Sequence, residues 1–190
     1  MTRIRATTIV GVKRGNQVAI AGDGQVTIGD VVMKHRAAKV RRMFRDEVIT
    51  GFAGAIADAL TLFDKFEQQL ERHQGNLLRA SVSLSKEWRT DKYLRHLEAM
   101  LLVANSRQLL LLSGDGEIIE PDDNVAAIGS GGPYAQAAAQ ALLESTDLSA
   151  AEVAERALHI AAKLCIYTND EITVETLDTI GAPTDGVPVG

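Results

Sequence analysis

The sequence predicts an α+β fold in which two antiparallel sheets are covered by helices on both outer faces. Three observations lead there. Apolar strands joined by tight turns fall in two separate blocks, and each block is followed by a pair of segments with helical apolar spacing. Strands joined by hairpins run antiparallel, and a helix pair with an apolar stripe needs a sheet face on which to bury it. The third is length: 190 residues with no internal repeat or linker suit one domain with a substantial core.

The first strand is expected over residues 7–13, from Thr7-Thr8-Ile9-Val10 to Lys13, turning at Gly15-Asn16 into a second over Val18 to Asp23. A Gly- and Asp-bearing stretch follows, then short extended pieces around Lys39 to Met43 and Glu47 to Gly51. After Gly54 the period changes. Ile56, Leu60, Phe63, Phe66 and Leu70 mark an amphipathic helix that ends near Gly75, and Leu77, Leu78, Val82, Leu84 and Trp88 mark a second. A short helical piece is expected around Tyr93 to Leu97.

Strands return over Ala99 to Ala104, Gln108 to Ser113, Glu117 to Glu120 and Val125 to Gly129, with Gly114-Asp115-Gly116 as a turn. A helix then opens with Pro133, a favoured first-turn residue. Another starts at Ser149, where Glu152 completes a capping box and Leu148 and Val153 are placed for a hydrophobic staple. A last strand, Ile172 to Leu177, precedes a tail rich in Gly, Pro and Val.

Composition narrows the function. A hydrophobic content of 46% and a charged content of 24% are ordinary for a soluble domain. A net charge of -5 argues against nucleic acid as the main partner, which needs a basic surface. The basic run Lys34, His35, Arg36, Lys39, Arg41, Arg42, Arg45 is broken by Asp46 and Glu47 and reads as a solvated face. No apolar run is long enough to span a bilayer, and the residues ahead of Thr7 lack the apolar core of a secretory signal. A single cysteine, Cys165, rules out an intrachain disulfide, which suits a reducing, cytoplasmic setting. The four histidines fall at no metal-ligand spacing, so a catalytic zinc is not expected.

The threonine pair at the head of the first strand carries the chemistry. A threonine hydroxyl is a poor nucleophile in mid-chain. Cut after Ala6, however, Thr7 would carry its own general base in a free α-amine. Such an amine, with a reference pKa of about 7.7–8.0, is mostly protonated at neutral pH; a nearby ammonium disfavours that charged form and leaves more free base, and that ammonium needs a carboxylate to hold it. Lys39 and Asp23, the latter between Gly22 and Gly24, are candidates for the two roles. Gly51-Phe52-Ala53-Gly54 joins a strand to a helix, where backbone N–H groups are aimed to stabilise an anion. Gly129-Ser130-Gly131-Gly132 is a second such junction. It lacks the lysine and spacing of a Walker motif, so no nucleotide is expected on this chain.

Taken together and in order, several segments resemble the HslV (ClpQ) family of bacterial proteasome-like peptidase subunits. They are Thr7-Thr8-Ile9-Val10, Gly22-Asp23-Gly24-Gln25, Lys39-Val40-Arg41-Arg42, Gly51-Phe52-Ala53-Gly54, His73-Gln74-Gly75, Trp88-Arg89-Thr90-Asp91, Gly129 through Gln136, and Cys165-Ile166-Tyr167-Thr168-Asn169. The resemblance implies a four-layer αββα sandwich of the N-terminal-nucleophile hydrolase type. It implies that Thr7 is the nucleophile, Lys39 the activating lysine, Asp23 its carboxylate partner and Ser130 a supporting hydroxyl. Gly54 is implied as the main-chain oxyanion donor, with Gly51 a second candidate. Ala162, Cys165 and Thr168 match positions whose main-chain carbonyls bind a sodium ion. The partners implied are further copies of the chain, as a dodecamer of two stacked hexameric rings, an AAA+ ATPase of the HslU (ClpY) type, and unfolded protein substrates.

On this reading residues 1–6 are a pro-segment removed on maturation, 7–178 the hydrolase domain and 179–190 a flexible tail. Two positions depart from the family pattern: alanine stands at Ala55 and Ala162 where glycine is expected. Two other functions fit parts of the sequence, a stand-alone N-terminal-nucleophile amidohydrolase acting on small amides, and an inactive ring scaffold. The extended match around Trp88 and Tyr134 disfavours the first, and retention of Thr7, Asp23 and Lys39 disfavours the second.

Overall fold

The computed structural model of the chain describes residues 7–97 and 99–178, so the expected pro-segment and tail lie outside the described residues. The first hairpin forms as expected, with β1 (Thr8–Arg14) paired antiparallel to β2 (Gln17–Gly22). A small hairpin follows, β3 (Val26–Ile28) and β4 (Val31–Lys34), and then β5 (Val40–Met43) and β6 (Val48–Ala53). Helices α1 (Ile56–Arg72) and α2 (Leu77–Thr90) come next, with a short 3₁₀ turn at Leu94–His96. Strands β7 (Met100–Ala104), β8 (Leu109–Ser113), β9 (Ile118–Ile119) and β10 (Val125–Gly129) lead to α3 (Gly132–Ser145), α4 (Ala150–Leu164) and β11 (Thr173–Asp178).

Two larger sheets result, one in the order β10-β1-β2-β11 and one in the order β5-β6-β7-β8-β9, with every pairing antiparallel. Each is buried on both faces, and the period-2 alternation of its strands sorts side chains between two cores. In β1 and β2, Val10, Val12, Ala19 and Ala21 face α3 and α4 in one cluster. Their neighbours Ile9, Val18 and Ile20 meet Ile49, Leu102 and Leu109 in a core between the sheets. On the far side Leu101, Val103, Leu110 and Leu112 pack against Phe63, Phe66, Leu70, Leu84 and Trp88 of α1 and α2. The order is therefore helices, sheet, sheet, helices, the αββα sandwich that was expected.

The sheets approach closely because glycine stands where they cross. A Cβ at Gly51 would lie 2.5 Å from Ile9 Cγ2, and one at Gly22 would lie 2.9 Å from Val40 Cγ2, each on the opposite sheet. Both glycines are packing positions in the inter-sheet core.

Three expectations are corrected. Leu60 is 47% exposed and the stripe of α1 runs through Ala59, Leu62, Phe63, Phe66 and Leu70. At 100° per residue Leu60 points about 160° away from Leu62, and the small Ala59 is what fills its place. Leu78 is likewise 46% exposed, leaving Leu77, Leu84 and Trp88 to anchor α2. The Gly- and Asp-bearing stretch is a hairpin turning at Gly29-Asp30; its second strand is exposed throughout, so no alternation marked it.

Candidate active site

Thr7 lies just ahead of β1 and is buried, with its carbonyl accepting the N–H of Ser130 at 3.0 Å. This contact needs Gly129, whose φ is +89°; a Cβ there would overlap the Thr7 carbonyl. Thr7 itself has φ of +135°, a backbone region that a β-branched residue rarely adopts. It borders an open cleft of about 730 Å³ together with Ala53, Gly54, Gly129 and Ser130. The lining is completed in part by Arg95, His96 and Leu97 at the 3₁₀ turn and by Ser113, Gly114 and Asp115 at the end of β8. Two strand-to-helix junctions from different sheets thus meet at one threonine.

Gly54 directly follows β6 with φ of +148°, which favours glycine. Ala55 is the N-cap of α1 at φ −71°, ψ 140°, comfortable for any L residue, so the strained position is Gly54 and alanine at 55 is tolerated. Gly51, the second oxyanion candidate, faces the inter-sheet core and is not among the residues bordering the cleft.

Behind the cleft sits a buried ion pair. Lys39 Nζ donates to Asp23 Oδ1 at 2.9 Å and to the Gln25 carbonyl at 2.5 Å, and both side chains are almost fully enclosed. Burial pushes the Lys39 ammonium below its ordinary pKa, and Asp23 partly opposes that by charge and hydrogen bond. Such a pair is retained only where every donor and acceptor is satisfied. Asp23 meets that demand: Oδ1 also accepts the Thr8 N–H at 2.8 Å, and Oδ2 accepts the N–H groups of Gln25 at 3.0 Å and Asn169 at 3.4 Å. Since Thr8 directly follows Thr7, the Asp23 carboxylate ties the lysine to the peptide next to the candidate nucleophile.

Three supporting residues were not singled out from the sequence. Thr8 is fully buried; its Oγ1 accepts the Gly131 N–H at 2.9 Å and shares a 2.6 Å hydrogen bond with Thr168 Oγ1. Gln25 donates to Thr27 Oγ1 and to the Ile166 carbonyl, both at 2.9 Å. Asn169 bridges the turn after β2 to the loop after α4. A polar residue leading an otherwise apolar buried strand was the available signal for Thr8, because such a hydroxyl must find partners.

Of the three positions matched to a sodium site, Ala162 stands in the last turn of α4, Cys165 caps it, and Thr168 donates its N–H to the Cys165 carbonyl at 3.1 Å. Cys165 N–H takes the Ala161 carbonyl, so the Ala162 carbonyl has no partner within the helix and lies at the negative end of its dipole. A carbonyl at that end of a helix favours positive charge beside it. Among the described residues no three of His, Cys, Asp and Glu converge on a metal position, so a cation here would rest on main-chain oxygen.

A four-layer αββα sandwich with a threonine at the head of a central strand, facing an open cleft, defines the proteasome-type N-terminal-nucleophile hydrolases as a class. The chain belongs to the proteasome subunit family, whose model matches residues 4–177. It is similar to eukaryotic HslV from Trypanosoma brucei at 43% identity and a TM-score of 0.86, covering 90% of this chain and 99% of that one. BPH from Thiobacillus denitrificans shares the fold at 22% identity and a TM-score of 0.74, covering 93% of this chain and 99% of that one. The same protein in complex with epoxomicin matches at 23% identity and a TM-score of 0.74, over 90% of this chain and 98% of that one. The chain is therefore an HslV-like peptidase of the proteasome family. Among the described residues no helix is long and apolar enough to cross a membrane.

Proposed function

We propose that this chain is the threonine endopeptidase subunit of a two-component, ATP-dependent protease that degrades unfolded polypeptides delivered by a partner AAA+ unfoldase. One observation carries the catalytic reading: Thr7 shares an open cleft with Gly54 and Ser130, while the buried Lys39–Asp23 pair grips the adjoining Thr8 peptide. Cleavage between Ala6 and Thr7 converts the Thr7 nitrogen from an amide to an amine and removes the dihedral constraint at φ +135°.

The free amine then accepts the Oγ1 proton as Oγ1 attacks the scissile carbonyl carbon. The carbonyl electron pair moves onto oxygen, where the Gly54 N–H stabilises it. Lys39 lowers the pKa of the amine and stabilises the Thr7 oxygen as it loses its proton; Asp23 holds Lys39, and the Ser130 hydroxyl supports the amine. Collapse breaks the C–N bond, and the Thr7 ammonium protonates the leaving nitrogen. The acyl ester on Oγ1 is hydrolysed by water activated by the same amine. Ala162, Cys165 and Thr168 would hold a sodium ion through their carbonyls, and a bound cation would supply positive charge that fixes the loop after α4.

Self-assembly belongs to the same proposal, as two stacked six-membered rings enclosing the clefts. Its support is the β3–β4 hairpin, where Val31 and Met33 are 61% and 62% exposed beside Ile28 and Val32, an apolar patch that calls for cover. A cytoplasmic peptidase with an open cleft needs such sequestration, and a partner ATPase would feed the chamber.

Intact-mass measurement and N-terminal sequencing of active enzyme test the core of the proposal. The mature chain begins at Thr7, and Thr7→Ala abolishes hydrolysis of a fluorogenic peptide while leaving the particle assembled. Active enzyme that begins at Thr2 or Thr8, or a Thr7→Ala variant that still turns over, refutes it.

A further inference from the structure

We propose that Asn169 is a positioning residue for Lys39, an inference that rests on the catalytic role given above to the Lys39–Asp23 pair. The two partners of that pair come from different segments. Asp23 sits in the turn that leaves β2, and Lys39 sits at the end of the stretch that leads into β5. Where the ammonium lies therefore depends on how those segments are held together. The Ala37 N–H donates to the Gly24 carbonyl at 2.9 Å, and a Cβ at Gly24 would overlap the His35 carbonyl, so the two backbones run in contact.

Asn169 supplies a further tie from a third segment. Its Oδ1 accepts the Gly24 N–H at 3.1 Å and the Glu171 N–H at 3.3 Å, while its Nδ2 donates to the His35 carbonyl at 2.9 Å. Its own N–H reaches Asp23 Oδ2 at 3.4 Å. The amide orientation is set by this surround, because the oxygen faces two N–H groups and the nitrogen faces a carbonyl. One side chain thus clasps the turn bearing Asp23 to the stretch bearing Lys39. Alanine at 169 removes all three side-chain bonds and leaves the buried Gly24 N–H without its partner. The turn and the lysine-bearing stretch are then held less firmly, by the Ala37–Gly24 bond and the ion pair itself, and a shift of about an ångström at a reacting centre is costly in rate.

The test is steady-state kinetics on the assembled mature particle with a fluorogenic peptide, alongside thermal unfolding. Asn169→Ala is expected to lower kcat by about ten- to a hundredfold with KM within about twofold of wild type. Asn169→Asp keeps size and the acceptor but loses the donor to His35, and is expected to lower kcat in the same way; it serves where the alanine variant does not fold. In a Lys39→Ala background, Asn169→Ala should change the residual rate by less than about twofold, since residues acting through one group are not additive. Wild-type kcat in Asn169→Asp overturns the inference, as does a loss that appears in KM, or a loss equally large with and without Lys39. Wild-type turnover in Lys39→Ala alone overturns the catalytic role of Lys39 as well, and so separates failure of that reading from failure of this one.

Discussion

Lys39 is enclosed at 7% side-chain exposure, and its ammonium is pushed below the ordinary value of 10.5 by burial, with Asp23 opposing. Two consequences follow for pH. On the proposed mechanism the Thr7 amine acts as free base, so kcat/KM is expected to rise with pH through the titration of that amine, whose uncharged form an ammonium at Lys39 favours. On the same proposal Lys39 acts as the ammonium, so activity is expected to fall again on the alkaline side, at a pH below the ordinary lysine value. Lys39→Ala is expected to lose about 10²–10³ in kcat, a size typical of removing one electrostatic stabiliser, and to move the acid limb upward. A pH profile of kcat/KM on wild type and variant checks both expectations. A variant whose acid limb stays in place contradicts the assignment.

Among the elements, α3 and α4 hold the sheet that carries Thr7, and their ends are secured by particular side chains. Arg14, at the end of β1, donates to the carbonyls of Leu148, Leu143 and Thr146 at 2.6, 2.7 and 2.5 Å. It places a cation at the C-terminal end of α3, where orphan carbonyls and the helix dipole favour one. Arg14→Met should lower the unfolding free energy by about 2 kcal/mol, measured by denaturant titration, with methionine keeping the length of the stem. At the start of α4, Ser149 Oγ accepts the Glu152 N–H at 3.3 Å and the Glu152 carboxylate accepts the Ser149 N–H at 2.9 Å. The bonds from the Ser149 N–H and hydroxyl lower the Glu152 pKa from 4.5. A carboxyl depressed in the folded state stabilises above its unfolded pKa, and that support is lost as pH falls through the folded value. Ser149→Ala should therefore lower the melting temperature at pH 7 more than at pH 3.

For the whole molecule the expected state is a large particle. The exposed apolar residues of β3 and β4 belong to no core cluster of the described chain. Met33→Asp is expected to shift light scattering towards smaller species while the circular dichroism of the subunit stays unchanged. The wild-type particle should show weak peptidase activity that rises strongly with an HslU-type ATPase and nucleotide, although this chain carries no Walker motif. A wild-type monomer with full activity and no response to that ATPase would point to a stand-alone amidohydrolase on the same fold.

Order and type of the elements were legible in the chain because strands buried on both faces read as apolar runs, and helices α1 and α4 as 3.6-residue periods. The capping box at Ser149, the helix opened by Pro133, and the strand-to-helix junctions at Gly54 and Gly129 are local chemistry, set by residues a few positions apart. The candidates Thr7, Asp23 and Lys39 could be named from residue type and resemblance. Their association could not, because Thr8 meets Asp23 across 15 positions and Thr168 across 160. Contacts at such separation depend on how two sheets stack, and the sheets stack as they do because Gly51 admits Ile9 and Gly22 admits Val40. For the same reason the parts played by Thr8, Gln25 and Asn169 are not legible in the chain: a polar side chain shows in the sequence, but its partners exist only once distant backbone has been brought beside it.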